Sequence, residues 1–248
     1  MGLRGSNLVR DRAKNLAFAN ENLQNEFIKI QDDLSSRISL KNSFSANQIR
    51  TVAGVDLAYW MEDEKEYGIC SIIVFDYNTK EIIEQVDYFD EITVPYISGF
   101  LAFRELPLIL KSIKKLKTEP DLYMFDGNGY LHNRHMGIAT HASFYLNKPT
   151  IGIAKTYLKI KNVDFIMPDN CKGAFTDIVI DDEVYGRCLR TRENVKPIFV
   201  SCGNWIDLHT ATELTLHFIE KDSRLPIPTR YADLATHQGR KKMLGKQR

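Results

Sequence analysis

Three carboxylates stand at the ends of apolar runs, and no feature of the chain limits its fold more. They are Asp56 in Val52-Ala-Gly-Val-Asp-Leu57, Glu105 in Phe103-Arg-Glu-Leu106, and Asp126 in Leu122-Tyr-Met-Phe-Asp-Gly127. A carboxylate that closes a buried strand is costly to desolvate unless something pairs with it. Asp is also depleted in strands, so its repetition at strand ends calls for a reason. Gathering such residues at one sheet edge gives that reason, because together they can hold a divalent cation. Oxygen-only ligands suit Mg²⁺ or Mn²⁺. Paired cations of this kind stabilise the attacking and leaving oxygens of phosphodiester hydrolysis. The pattern therefore points to a metal-dependent nuclease.

The rest of the chain supplies a sheet to carry such an edge. Strands are predicted over Thr51–Leu57, Tyr67–Tyr77 and Glu81–Phe89, with Asp76-Tyr-Asn-Thr-Lys80 as a hairpin turn. A helix is expected over Gly99–Lys117, broken or restarted at Pro107. Asp121–Phe125 and Thr150–Ala154 read as short, fully apolar strands with parallel neighbours, and His141–Leu146 as the helix between them. A second hairpin spans Asp177–Arg190 and turns at Asp181-Asp182, followed by a strand at Pro197–Ser201. Helices near Asp207–Glu220 and Arg230–Lys242 close the chain. Ahead of all this, Leu16, Leu23, Phe27, Ile30, Leu34 and Ile38 form an apolar stripe at helical spacing. The fold class is α/β: an antiparallel three-strand meander joined to parallel strands in one mixed sheet, with helices on both faces. We expect a single domain over residues 1–248, with a helical N-terminal extension at about 7–40 and a basic tail at about 240–248.

Composition excludes little. The formal net charge is +1, so bulk charge does not announce a nucleic-acid binder. Arg240, Lys241, Lys242, Lys246 and Arg248 make a basic tail that can meet phosphates or simply fray in solvent. Cys70, Cys171, Cys188 and Cys202 form no C-x-x-C pair, which argues against structural zinc. No apolar run is long enough to span a membrane, and Met1-Gly-Leu-Arg-Gly-Ser6 lacks the core of a signal peptide. A cytoplasmic monomer that meets no membrane is the expectation.

Several motifs surround the carboxylates. Gly127-Asn-Gly129 after Asp126 lets backbone approach a ligand closely, although a plain turn has the same signature. The segment Val94-Pro-Tyr-Ile-Ser-Gly99 feeds a helix that starts after a glycine, and reads either as a wedge between bases or as a core-packed loop. His132, His135 and His141 lie close in sequence; a neutral imidazole near a carboxylate cluster can orient phosphate or shuttle a proton. Lys155 ends the run Ile151-Gly-Ile-Ala154 and either meets a phosphate or snorkels to solvent.

Taken in order, these blocks resemble the endonuclease V family, the deoxyinosine 3′ endonucleases, from about Gly54 to Asp233. The blocks are Gly54-Val-Asp56, Pro95-Tyr-Ile-Ser-Gly-Phe-Leu-Ala-Phe-Arg-Glu105, Phe125-Asp-Gly-Asn-Gly129 with His132, Gly137-Ile-Ala-Thr-His141, Pro149-Thr-Ile-Gly-Ile-Ala-Lys155 and Leu225-Pro-Ile-Pro-Thr-Arg-Tyr-Ala-Asp233. The resemblance implies a ribonuclease H-like fold. It implies Mg²⁺-dependent cleavage of the second phosphodiester 3′ to a deaminated purine in DNA, with Mn²⁺ as substitute, leaving 3′-hydroxyl and 5′-phosphate. Carried over by position, Asp56, Glu105 and Asp126 are metal ligands, Asp233 is a fourth catalytic position and Lys155 lies near the scissile phosphate. Pro95, Tyr96 and Ile97 make the wedge, with Tyr96 filling the gap left by the lesion. Gly99, Leu101, Gly127, Gly129, Gly137 and Ile138 line the pocket for the extruded base, with His132 beside them. Ser98 departs from the family's second wedge proline, and Asn133 follows His132 where proline is frequent. Ser201-Cys-Gly-Asn204 stands where many members have a Gly-His pair, and Asn204 does not titrate. The competing readings are an inosine-specific endoribonuclease on the same site, and a non-cutting binder of inosine-containing strands. Asn204 is the only feature that favours the binder.

Overall fold

The computed structural model describes residues 21–45 and 48–245. The expectations that fall on Leu16, on the start of the N-terminal extension, and on Lys246 and Arg248 of the basic tail lie outside these residues. The first described element is a helix over 21–35, here α1. The others are β1 (Thr51–Glu62), β2 (Lys65–Asp76), β3 (Ile82–Glu91), α2 (Leu101–Ile113), β4 (Leu122–Asp126), α3 (Ile138–Leu146), β5 (Thr150–Ala154), β6 (Phe175–Ile180), β7 (Glu183–Leu189), β8 (Ile198–Asn204), α4 (Leu208–His217) and α5 (Ile227–Gly245).

The strands form one eight-stranded sheet in the order β3-β2-β1-β4-β5-β8-β7-β6. β1, β2 and β3 make the expected antiparallel meander, and β4 and β5 run parallel to β1. Asp181 and Asp182 turn the β6–β7 hairpin with φ of 51° and 64°, the primed-turn backbone that matches strand twist. Alternation along β1 and β4 divides their side chains between two cores. Val52, Leu122 and Met124 face α4 and α5. Ala53, Val55, Tyr123 and Phe125 face α2 and α3. Helices thus cover both faces, as the sequence indicated.

Three expectations about local structure need correction. Asp56 does not close its strand: β1 continues to Glu62, and Asp56 pairs with Ser71 in mid-strand. What ends there is the shorter neighbour, because the parallel register with β4 stops at Val55–Phe125. Pro107 does not break α2. It faces solvent between buried Leu106 and Leu108, so the Phe103 carbonyl that loses its donor can turn towards water while packing holds the helix. On α1, Ile30 is 41% exposed while Gln31 is fully buried. The buried face therefore runs Phe27, Gln31, Leu34, and a polar residue takes the place assigned to an apolar one.

Candidate active site

Side-chain alternation brings Asp56 and Asp126 together. Val52 and Asp56 share a parity, as do Met124 and Asp126, so both carboxylates emerge on the α5 side of the sheet. α5 comes close enough to meet them because Gly54 has no side chain; a Cβ there would stand 1.9 Å from the Pro228 carbonyl oxygen. That contact sets the helix so that Asp233 joins the pair. Carboxylate oxygens of Asp56, Asp126 and Asp233 all lie within 4.8 Å of one another.

The electrostatics of this group are unfavourable without a cation. Burial, reinforced by the nearby Asp126, pushes the Asp56 carboxyl up to about 7, against the opposing Thr236 hydrogen bond and Lys155. Burial also raises Asp126. One positive group serves all three acids: Lys155 Nζ lies 2.5 Å from Asp126 Oδ2 and 2.9 Å from Asp233 Oδ1. Thr236 Oγ1 donates to Asp56 Oδ2 at 2.9 Å. The Arg224 guanidinium also acts on Asp126, but three converging carboxylates still outnumber the two cations and leave a local deficit of positive charge. With oxygen ligands only, the donor set suits a hard divalent ion.

Glu105 stands outside that cluster of three. It sits on α2, on the opposite face of the sheet, where Tyr59 Oη donates to its Oε1 at 2.5 Å. Burial lifts its carboxyl to about 7, with the Tyr59 hydrogen bond opposing, and it feels the charges of Asp56 and Asp126. Its neighbour Arg104 is buried too, ion-paired with Glu66 and donating to the Val94 carbonyl at 2.9 Å. The Arg104-Glu105 pair is therefore an internal feature rather than a solvated helix face.

A cavity of about 240 Å³ opens beside the acids. Tyr96, Gly99, Leu101 and Gly127 line it, with His132, Gly137 and Ile138. Gly127 follows Asp126 directly, so cavity and carboxylates share the end of β4. Tyr96 is 68% exposed at the mouth. Pro95, Ile97 and Gly129 do not line the cavity. Gly129 instead packs on β8, where a Cβ would meet the Cys202 carbonyl oxygen at 2.2 Å. Burial drives His132 down to about 4, so its ring is neutral at pH 7. His141 is likewise driven down to about 4 by burial; it packs edge-on against Phe103 at 4.7 Å, and neither ring nitrogen has a protein partner.

Two neighbours of the site escaped the sequence reading. Asn128 lines the cavity and carries a buried Oδ1 without a protein partner; its position between two glycines was the available signal. His237 lies one turn beyond Asp233 on α5, with Nδ1 2.8 Å from the Asp233 carbonyl oxygen. Asn204, by contrast, is remote from the acids. It pairs with Thr150 at the start of β5, whereas Lys155 follows the other end of that strand. Its Oδ1 accepts from the Ser39 and Trp205 backbone N–H groups at 2.8 and 3.0 Å, a structural tie.

Comparisons with known proteins agree with this geometry. The sequence pattern of the family described as Endonuclease V matches residues 32–234. Endonuclease V of Bacillus thuringiensis subsp. konkukian is 63% identical over 227 residues, covering 92% of this chain and 97% of that one. The crystal structure of endonuclease V from Bacillus subtilis superposes with a TM-score of 0.87 at 58% identity, covering 91% of this chain and 94% of the other. Ciona intestinalis endonuclease V, solved in complex with a 24mer DNA containing an inosine followed by a ribo-adenosine, gives a TM-score of 0.80 at 26% identity over 90% and 99% of the two chains. The fold is ribonuclease H-like, and the chain belongs to the endonuclease V family.

Proposed function

We propose that this chain hydrolyses the second phosphodiester 3′ to a deoxyinosine in DNA, leaving a 3′-hydroxyl and a 5′-phosphate, as a repair endonuclease. One observation carries the reading: three half-buried carboxylates converge within 4.8 Å, beside a cavity with an exposed tyrosine at its mouth. Mg²⁺ is the ion we assign, with Mn²⁺ as substitute, held by Asp56, Asp126 and Asp233, with Glu105 reaching in from the other face of the sheet. When bound, it supplies positive charge that makes water a better nucleophile and neutralises the leaving oxygen.

The chain's own residues do the positioning. Pro95, Tyr96 and Ile97 form the wedge, and Tyr96 enters the stack as the base leaves it. The lesion base enters the cavity, where Gly127 and Gly137 allow backbone to approach its edge and Asn128 offers an acceptor to a ring N–H. Lys155, which pairs with Asp126 and Asp233, would be free to meet the phosphate where a cation neutralised those acids. Thr236 orients Asp56, and Tyr59 orients Glu105. Tyr59→Phe removes that donor; we expect single-turnover cleavage to fall about 10-fold or more, the worth of a hydrogen bond to a charged group, with little change in binding of inosine-containing DNA. Equal losses in rate and binding would contradict an orienting role.

The non-cutting alternative loses its support, since Asn204 lies at the far end of β5 from the acids. No helix among the described residues is long and apolar enough to cross a membrane. The four cysteines are unpaired, which suits work in the reducing cytoplasm. One chain supplies both the acidic cluster and the cavity, so we assign the function to a single domain that needs no residue from a second copy. The test is a labelled deoxyinosine duplex and a matched inosine RNA, each incubated in Mg²⁺ and in EDTA. A Mg²⁺-dependent nick at the second bond 3′ to deoxyinosine is expected. Cleavage confined to RNA would transfer the assignment to inosine RNA, and no nick in Mg²⁺ or Mn²⁺ would overturn it.

A further inference from the structure

The loop that carries Tyr96 hangs between β3 and α2, and both of its stems are fastened. Arg104 holds the first stem at the Val94 carbonyl. The second stem is Gly99, whose φ of 82° is a conformation that L side chains rarely adopt. Its carbonyl accepts from Gln31 Nε2 at 3.2 Å and from Arg134 Nη2 at 3.3 Å. Gln31 Oε1 in turn accepts from Arg134 Nε at 2.5 Å. One side-chain amide thus uses both ends, tying a loop carbonyl to a guanidinium that also binds that carbonyl.

This clamp is built from outside the cavity. Gln31 lies on α1, is fully buried and does not line the cavity. One turn away, Phe27 stacks on Phe103 of α2 with centroids 3.8 Å apart and planes at 6°. The Arg134 guanidinium sits 4.5 Å over the Phe100 ring. α1 therefore grips the start of α2 through aromatic packing and directs its one buried amide at Gly99. A buried amide is expensive unless both of its ends are paired, and here they are.

We propose that Gln31 is a positioning residue for lesion recognition: it fixes Gly99, and with it the spacing between exposed Tyr96 and the cavity. The inference rests on the proposed function. Its reach is specificity rather than chemistry, because Gln31 touches neither the acids nor the cavity. Loosening Gly99 costs affinity only where a base has been extruded and its gap filled; contacts with phosphate along an intact duplex are unchanged.

Two variants separate the arms of the clamp. Gln31→Leu removes both hydrogen bonds. Gln31→Glu keeps an acceptor for Arg134, which holds the fold, but turns a carboxylate oxygen towards the Gly99 carbonyl and loses the donor. Binding is measured in Ca²⁺ to a labelled duplex with one deoxyinosine and to the same duplex without it. Wild type should prefer the inosine duplex. Gln31→Glu should lose that preference at least fivefold while its affinity for the plain duplex stays within twofold, and KM for cleavage should rise with kcat within threefold. Gln31→Leu should do the same where it folds. A purely structural role would instead lower melting temperature and weaken both duplexes alike. Gln31→Glu with the wild-type preference overturns the proposal. A wild-type protein indifferent to inosine overturns the reading of function on which the proposal rests, and does so before any variant is made.

Discussion

Asp56→Asn is expected to reduce Mg²⁺-dependent cleavage of a deoxyinosine duplex at least 100-fold, a loss of about 2.7 kcal/mol or more of transition-state stabilisation, while leaving binding of that duplex in Ca²⁺ nearly intact. The substitution keeps the volume and an acceptor for Thr236 Oγ1 but removes one of three converging charges. The same change should stabilise the metal-free protein. Burial raises the Asp56 carboxyl from 3.8 to about 7, so the folded chain holds this proton more tightly than the unfolded chain. That contribution is complete below about pH 4 and is lost as pH rises through 7. Above pH 7 the wild type in EDTA carries an ionised, poorly solvated Asp56, and the asparagine variant does not. The variant should therefore melt higher at pH 8, by roughly 1–3 kcal/mol of stability, and the advantage should close as pH approaches 4. Retained cleavage above about 1% of the wild-type rate would remove Asp56 from the ligand set. A variant that melts lower in EDTA at pH 8 would mean that the three acids are not in mutual conflict.

Part of that conflict was legible in the sequence, because a carboxylate set against an apolar run is a one-dimensional signal. That Asp56 and Asp126 leave the same side of the sheet was not, since β1 and β4 are apolar on both faces here and only their register aligns the two. Asp233 could not be placed from periodicity either, since it belongs to a helix whose position depends on a backbone contact between residues far apart in sequence; only the family resemblance pointed to it. Glu105 shows the converse limit. It lies in a motif block with the wedge segment, yet it reaches the site from the opposite face, and sequence order says nothing about faces of different elements. Asn204 drew attention by departing from a family pattern, and the β5–β8 register removes it from the acids. Gln31 is hidden for the opposite reason: helical spacing from Phe27 fits i+3 and i+4 equally well, and hydrophobicity favours Ile30 over the residue that is actually buried. A polar side chain buried for its hydrogen bonds leaves no such mark.

The approach of α5 to β1 is the other step on which the site depends, and Gly54→Ala should disrupt it. β1 is held on both sides, by β2 through Gly54–Ile73 and by β4 through Gly54–Met124, so the strand cannot yield. A Cβ at residue 54 would lie 1.9 Å from the Pro228 oxygen and 2.0 Å from its carbonyl carbon, and both are backbone atoms without a rotamer to change. α5 must then retreat by more than an ångström at its N-terminal end, where Ile227, Pro228 and Thr229 are buried. Asp233 and Thr236 ride on the same helix, so the hydrogen bond to Asp56 and the convergence of the three carboxylates are lost with the packing. Overpacking of this severity costs about 3 kcal/mol, which lowers the melting temperature of a chain this size by roughly 6–12 °C. Mn²⁺ affinity, read by calorimetry without any substrate, should fall about 10-fold or more, since ligands held loosely must be reordered on binding. Gly245→Ala on the same helix is the control: nothing lies within 4 Å of its Cβ position, and both melting and Mn²⁺ binding should match the wild type. If Gly54→Ala also matches the wild type in both measurements, the contact with Pro228 does not set the helix, and the position of Asp233 must be fixed from elsewhere on α5.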